Sequence, residues 1–105
     1  MLTIIAEILT TSELALQAVI ESFKEITPTV LQEDGCYCYE LYVDSKVDSQ
    51  IQHKSAYSMT MYEKWETIQH LEAHMRTAHM LAHQTAVESL VIEVKIKILE
   101  RGFDL

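Results

Sequence analysis

Residues 91–99 read Val-Ile-Glu-Val-Lys-Ile-Lys-Ile-Leu, with Ile92, Val94, Ile96 and Ile98 turned one way and Glu93, Lys95 and Lys97 the other. A two-residue period held this long is what a strand with one covered and one wet face requires, so the chain must build a sheet and cover one side of it. Residues 2–9, Leu-Thr-Ile-Ile-Ala-Glu-Ile-Leu, form a second β-branched run. It is largely apolar on both faces, with Thr3 and Glu7 the polar exceptions, as expected of a central strand. Two more alternating runs, Cys36 to Val43 and Ala56 to Lys64, read as strands. Joined locally, they make an antiparallel pair. The polar stretch 44–55 between them is long for a structureless connection, which predicts strand extensions entering it from both sides.

Helical period fills the gaps between these strands. Leu16, Val19, Ile20, Phe23, Ile26 and Val30 fall on one side of a segment that follows the cap candidates Thr10-Thr11-Ser12 and stops at Asp34-Gly35. Pro28 requires either a kink or a new turn capped by Thr27. After Trp65-Glu66, Thr67 and Thr77 are caps for two short helices. The order is β-α-β-β-α-β with the second helix split, an α+β chain of ferredoxin-like type: a four-stranded antiparallel sheet with helices on one face. One hundred and five residues make this a single domain, 1–105. The helix-free face would carry Ile5, Leu9, Tyr37, Tyr39, Met59 or Met61, and a bare apolar patch of that size predicts a homodimer through it.

Sixteen acidic residues against eight basic ones give a net charge of −8, the wrong sign for tracking nucleic acid or an anionic membrane surface. With Gly35 and Gly102 as the only glycines, phosphate-cradling and dinucleotide-binding loops are excluded. Cys36 and Cys38 form no Cys-x-x-Cys motif and no disulfide is expected between them. No signal peptide and no apolar 18-mer precede or interrupt the domain, so a cytoplasmic location is expected. The candidate chemistry lies in His70, His74, His79 and His83, two i,i+4 pairs with a spacing that metal sites use. Neither pair has the adjacent Glu of a zincin, and no metal, haem or flavin is expected. His74, beside Leu71 and Met75, faces the sheet, whereas His70 sits in the first turn near solvent. Glu7 either lines a cavity or is neutralised across the ladder, and Trp65 is either a packing anchor or a ligand platform.

The strings Asp34-Gly35-Cys36, Tyr39-Glu40-Leu41 and Tyr62-Glu63-Lys64-Trp65-Glu66-Thr67, with Leu71-Glu72-Ala73-His74 and Thr77-Ala78-His79, resemble the antibiotic biosynthesis monooxygenase domain family. The resemblance spans about residues 2–99. It implies a dimeric α+β barrel with a cavity between sheet and helices in each protomer. It also implies a monooxygenase that, like quinol monooxygenases, oxygenates a small aromatic or quinol-like compound with O2 and no cofactor. His74 and His79 match the family's histidines and are the candidate catalytic residues; Trp65, Tyr62, Met61 and Glu7 are the candidate substrate contacts. Ala78 replaces the family's usual Pro. Haem-degrading relatives carry Asn where this chain has Glu7, and their haem-ligating His falls at Gln84, so haem oxygenation is not expected. Two other readings stand beside this one: a non-catalytic small-molecule-binding or structural dimer, and an isomerase or degradation enzyme for a small oxygenated metabolite.

Overall fold

The computed structural model describes residues 1–104. In chain order the elements are β1 (Leu2–Thr10), α1 (Glu13–Val30), β2 (Cys36–Tyr42), β3 (Ser58–Trp65), α2 (Ile68–Met75), α3 (Ala78–Val87), a 3-10 turn (Glu88–Leu90) and β4 (Val91–Leu99). The strands form one sheet in the order β2-β3-β1-β4, all pairs antiparallel. The sheet is open, with β2 and β4 as its edges. The expectation of a barrel is therefore corrected: four strands are too few to enclose a layer of side chains, and among the described residues nothing bonds β2 to β4.

Three caps read from the sequence start the helices. Ser12 Oγ accepts from the Ala15 N–H, Thr67 Oγ1 from the His70 N–H and Thr77 Oγ1 from the Met80 N–H. Each satisfies one orphan donor and is worth about 1 kcal/mol. α1 runs through Pro28 without restarting at Thr27. Pro28 lies in the last turn, where one bond is lost, and Thr27 Oγ1 donates to the Phe23 carbonyl at 2.7 Å. No strand extends into the connection between β2 and β3; its backbone runs irregularly from Val43 to Tyr57, held in part by Asp44 Oδ2 accepting from the Ser55 N–H at 2.9 Å.

Strand parity places the core. Ile4, Ala6 and Ile8 of β1, Met59, Met61 and Trp65 of β3 and Tyr39 of β2 are buried under Leu16, Val19 and Phe23 of α1 and Leu71 of α2. Each fully buried large side chain stabilises the fold by about 1.5–3 kcal/mol. Tyr39, Met59 and Met61 thus sit beneath the helices rather than on the helix-free face. The helix-free face instead carries Glu40, Tyr62, Lys64, Ile5, Glu7, Lys95 and Lys97, charged in every strand. The apolar row of β4 is in register with the core residues of β1, Val94 with Ile8, Ile96 with Ala6 and Ile98 with Ile4, yet it is not covered. The helices stop short of this edge, and Ile92, Val94, Ile96 and Ile98 remain between 48% and 66% exposed.

A register shift between Cys36 and Cys38 leaves Tyr37 unpaired, so Cys36 stands opposite Trp65 on the core side and Cys38 opposite Lys64 on the other. Both thiols are free.

Candidate active site

The turn after α1 aims a carboxylate at α2 and α3. The Glu33 N–H donates to the Val30 carbonyl, and the chain then reverses at Gly35, whose φ of 78° only glycine adopts without strain. A side chain there would also stand 2.4 Å from the His70 ring. His74 lies in the last turn of α2, and Thr77, which caps α3, donates its hydroxyl to the His74 carbonyl at 2.8 Å. This junction holds His79, in the first turn of α3, close to His74. Glu33 Oε2 lies 2.9 Å from His74 Nδ1 and 2.7 Å from His79 Nε2.

A carboxylate only accepts, so His74 carries its proton on Nδ1 and presents an unprotonated Nε2. The ring is fixed further by Trp65, 4.7 Å away between centroids, and by the edge of Tyr39 at 5.5 Å. Burial lowers the His74 pKa below its ordinary value, against the opposing pull of Glu33. The result is a neutral imidazole, 1% exposed, oriented by a carboxylate.

His74 borders a cavity of about 390 Å³ between the sheet and the helices. Its walls are apolar, with Ala6, Ile8, Phe23, Met61, Met80 and Ile96 among them, and a few polar groups converge on it: His74, His83, Tyr39, Glu63 and Gln84. His83 Nδ1 is 2.7 Å from Ser22 Oγ, its ring lies 4.1 Å from that of Phe23, and burial lowers its pKa. Glu63 accepts the Trp65 indole N–H at 2.9 Å, and burial raises its pKa. The Tyr39 hydroxyl is buried without a hydrogen-bond partner. Such an orphan costs about 1–3 kcal/mol unless a ligand or a water satisfies it. Burial raises the Tyr39 pKa, so the group is a phenol that can donate. Burial also pushes the Cys36 thiol up to about 11, which removes it as a nucleophile.

Residues 1–86 match the antibiotic biosynthesis monooxygenase family. The chain belongs to that family. It is 46% identical to a protein named Probable quinol monooxygenase YgiN from Escherichia coli K12, over 97% of this chain and 99% of that one, and matches the protein of the same name from Shigella flexneri equally well. Among solved structures, PA3566 from Pseudomonas aeruginosa superposes with a TM-score of 0.79 at 28% identity, over 95% of this chain and 92% of the other. Rv0793 from Mycobacterium tuberculosis shares the fold, with a TM-score of 0.79 at 19% identity over 98% and 96% of the two chains. Membership in this monooxygenase family makes the protein an oxidoreductase.

Within the family frame, the residues singled out from the sequence fall into five positions. His74 and Met61 border the cavity, and His79 joins His74 through Glu33. Trp65 lies against the His74 ring, wholly buried and outside the cavity wall. Tyr62 and Glu7 alternate with core residues and so lie on the opposite face of the sheet, where Glu7 stands opposite Lys95. His70, a third exposed, approaches Thr67 Oγ1 and Glu66 instead. Sequence reasoning missed Glu33, Tyr39 and Glu63 as site residues. Tyr39 and Glu63 carried a usable signal, since they alternate in phase with Leu41 and Met61. Glu33 carried none beyond its place before the Asp34-Gly35 stop. No helix of the described residues is long and apolar enough to cross a membrane.

Proposed function

We propose that the protein is a cofactor-independent monooxygenase that oxygenates a quinol-like compound in the cavity, with His74 as the base. The observation that carries this reading is the Glu33–His74 pair, a neutral imidazole with its Nδ1 proton held by a carboxylate and its ring bordering an apolar cavity.

A quinol hydroxyl gives its proton to His74 Nε2, and the electron-rich quinolate passes one electron to O2. Recombination of the two radicals forms a carbon–oxygen bond and a peroxide. The protonated His74 then returns its proton to the distal peroxide oxygen, and the ring carbon that carries the peroxide gives up its own proton to the departing hydroxide as the O–O bond breaks. One oxygen atom stays on the ring as a hydroxyquinone, the other leaves as water, and the four electrons come from the substrate. The Tyr39 hydroxyl is suited to donate to the oxygen on which charge develops, and the apolar walls keep bulk water from the intermediates. We place the reaction in the cytoplasm, where both cysteines stay reduced.

The protein acts as a homodimer in this reading. The support is the uncovered β4 row, which adjoins the cavity at Val94 and Ile96 and which a second copy would shield. Oxygen uptake with a panel of hydroquinones, followed with and without a chelator, tests the activity. Uptake with at least one hydroquinone, insensitive to chelation, is expected; absence of turnover across the panel overturns the reading.

A further inference from the structure

Glu33, His74 and His79 do more than orient one base. Their ligating atoms, one oxygen and two imidazole nitrogens, come from three different elements and all lie within 4.8 Å of one another. Two imidazoles and one carboxylate are the donor set that first-row divalent cations such as Zn²⁺ take, with further positions left to water. Metal–ligand bonds of ~2.0–2.1 Å put neighbouring ligand atoms roughly 2.9–3.4 Å apart. The two Glu33–imidazole separations, 2.9 and 2.7 Å, are already close to that range. The remaining closure falls to Glu33 and His79, which keep 13% and 24% of their side-chain surface exposed and so also give an ion a way in. The ion pairs of Glu33 are with these two histidines alone; among the described residues no Lys or Arg lies within ion-pairing distance of it. The chain's net charge of −8 adds a field that draws cations.

We infer that Glu33, His74 and His79 form a binding site for a divalent cation of the Zn²⁺ type, and that filling it silences the base. This rests on the reading of His74 as the base. A neutral imidazole has one proton and one free lone pair. When Nδ1 bonds to a cation instead of donating to Glu33, the ring proton must sit on Nε2. The nitrogen offered to the substrate then changes from acceptor to donor and cannot take a phenolic proton. Likewise, His79 exchanges its hydrogen bond to Glu33 for a metal bond through Nε2, and its one ring proton moves from Nε2 to Nδ1. Two hydrogen bonds already hold the triad together without a cation, so occupancy follows the free cation concentration: the site is inhibitory and not a resident cofactor.

The test uses the full chain stripped with a chelator and titrated with Zn²⁺ by calorimetry, with Co²⁺ absorption as a spectroscopic check on the donor set. One equivalent per chain is expected. Affinity should fall at least roughly tenfold in Glu33→Gln and, independently, in His79→Ala, both checked for folding by circular dichroism, and should be unchanged in His53→Ala, which removes an exposed loop histidine. In the wild type, Zn²⁺ should abolish hydroquinone-dependent O2 uptake over the same concentration range, and chelator should restore it. No saturable binding, or binding indifferent to both triad substitutions, overturns the cation site and leaves the base reading intact. Saturable binding at the triad with undiminished O2 uptake keeps the site but overturns both the silencing and His74 as base.

Discussion

At the scale of single residues, the site depends on which imidazole is held and which is merely near. His74 is enclosed, stacked and tied to Glu33, whereas His70 has a third of its side chain in solvent and contacts the α2 cap. Replacing His74 by Ala should cut kcat/KM for a hydroquinone by at least about tenfold, about 1.4 kcal/mol of barrier. The same change at His70 should alter it by less than about threefold, and equal, small effects at both positions would return His74 to a packing role. Glu63 makes a separate prediction through its protonation. Burial raises its pKa, so the folded state holds the proton to higher pH than the unfolded state does. Stability is therefore lost as pH rises from the unfolded carboxyl value, about 4.3, through the folded one, and Glu63→Gln should raise the Tm at neutral pH more than near about pH 4. His83 has the opposite sign: its lowered pKa means stability is present above about pH 6.5 and falls as pH drops below it, because the unfolded imidazole takes the proton first. His83→Gln should flatten that part of a Tm-against-pH curve. The histidine facing the sheet was legible in the sequence because helical period alone decides it. The carboxylate 41 residues earlier was not, because its direction is set by a turn rather than by any period.

At the scale of elements, local chemistry predicted starts and stops well and faces less well. Ser12, Thr67 and Thr77 cap where expected because a cap needs only its own short neighbourhood. The fate of the 43–57 connection and the bulge at Tyr37 depend on pairing partners that a single strand's sequence does not contain. Gly35 shows how one such stop reaches the site. Its positive φ and the 2.4 Å approach of a Cβ to His70 mean that Gly35→Ala must strain the turn or push α2 away. A left-handed non-glycine residue alone costs about 1–2 kcal/mol. We expect Gly35→Ala to lower stability in urea by at least that amount. Because the same turn carries Glu33, activity should also drop more than in a variant of equal instability made on the solvent side of α1. Loss of stability with full retention of specific activity would separate the turn from the site.

For the molecule as a whole, the most regular strand in the sequence posed the hardest problem. The alternation of residues 91–99 correctly gave a strand with Ile92, Val94, Ile96 and Ile98 on the core side, yet in one chain the cover expected for that side is incomplete and the row stays about half exposed. A period reports which way a side chain points, and only the placement of other elements decides whether anything meets it. The same limit explains why the helix-free face was expected to be apolar: Tyr39, Met59 and Met61 have the right composition, but register puts them under the helices. An exposed edge strand with four large apolar side chains is a surface that proteins rarely leave wet, and a second chain is the cover we propose. Ile98 is the position to probe, because it is half exposed and, unlike Val94 and Ile96, does not border the cavity. Ile98→Lys should change the stability of a single chain little, about 0.5 kcal/mol or less, since its side chain already reaches solvent. Buried against another chain, the same ammonium would carry a desolvation cost of several kcal/mol, enough to shift a micromolar dimer to monomer. Sedimentation equilibrium of the wild type at micromolar concentration should give twice the single-chain mass, and the variant the single-chain mass with an unchanged far-ultraviolet spectrum. A monomeric wild type, or a variant that dimerises as well as the wild type, would show that this row is not the interface.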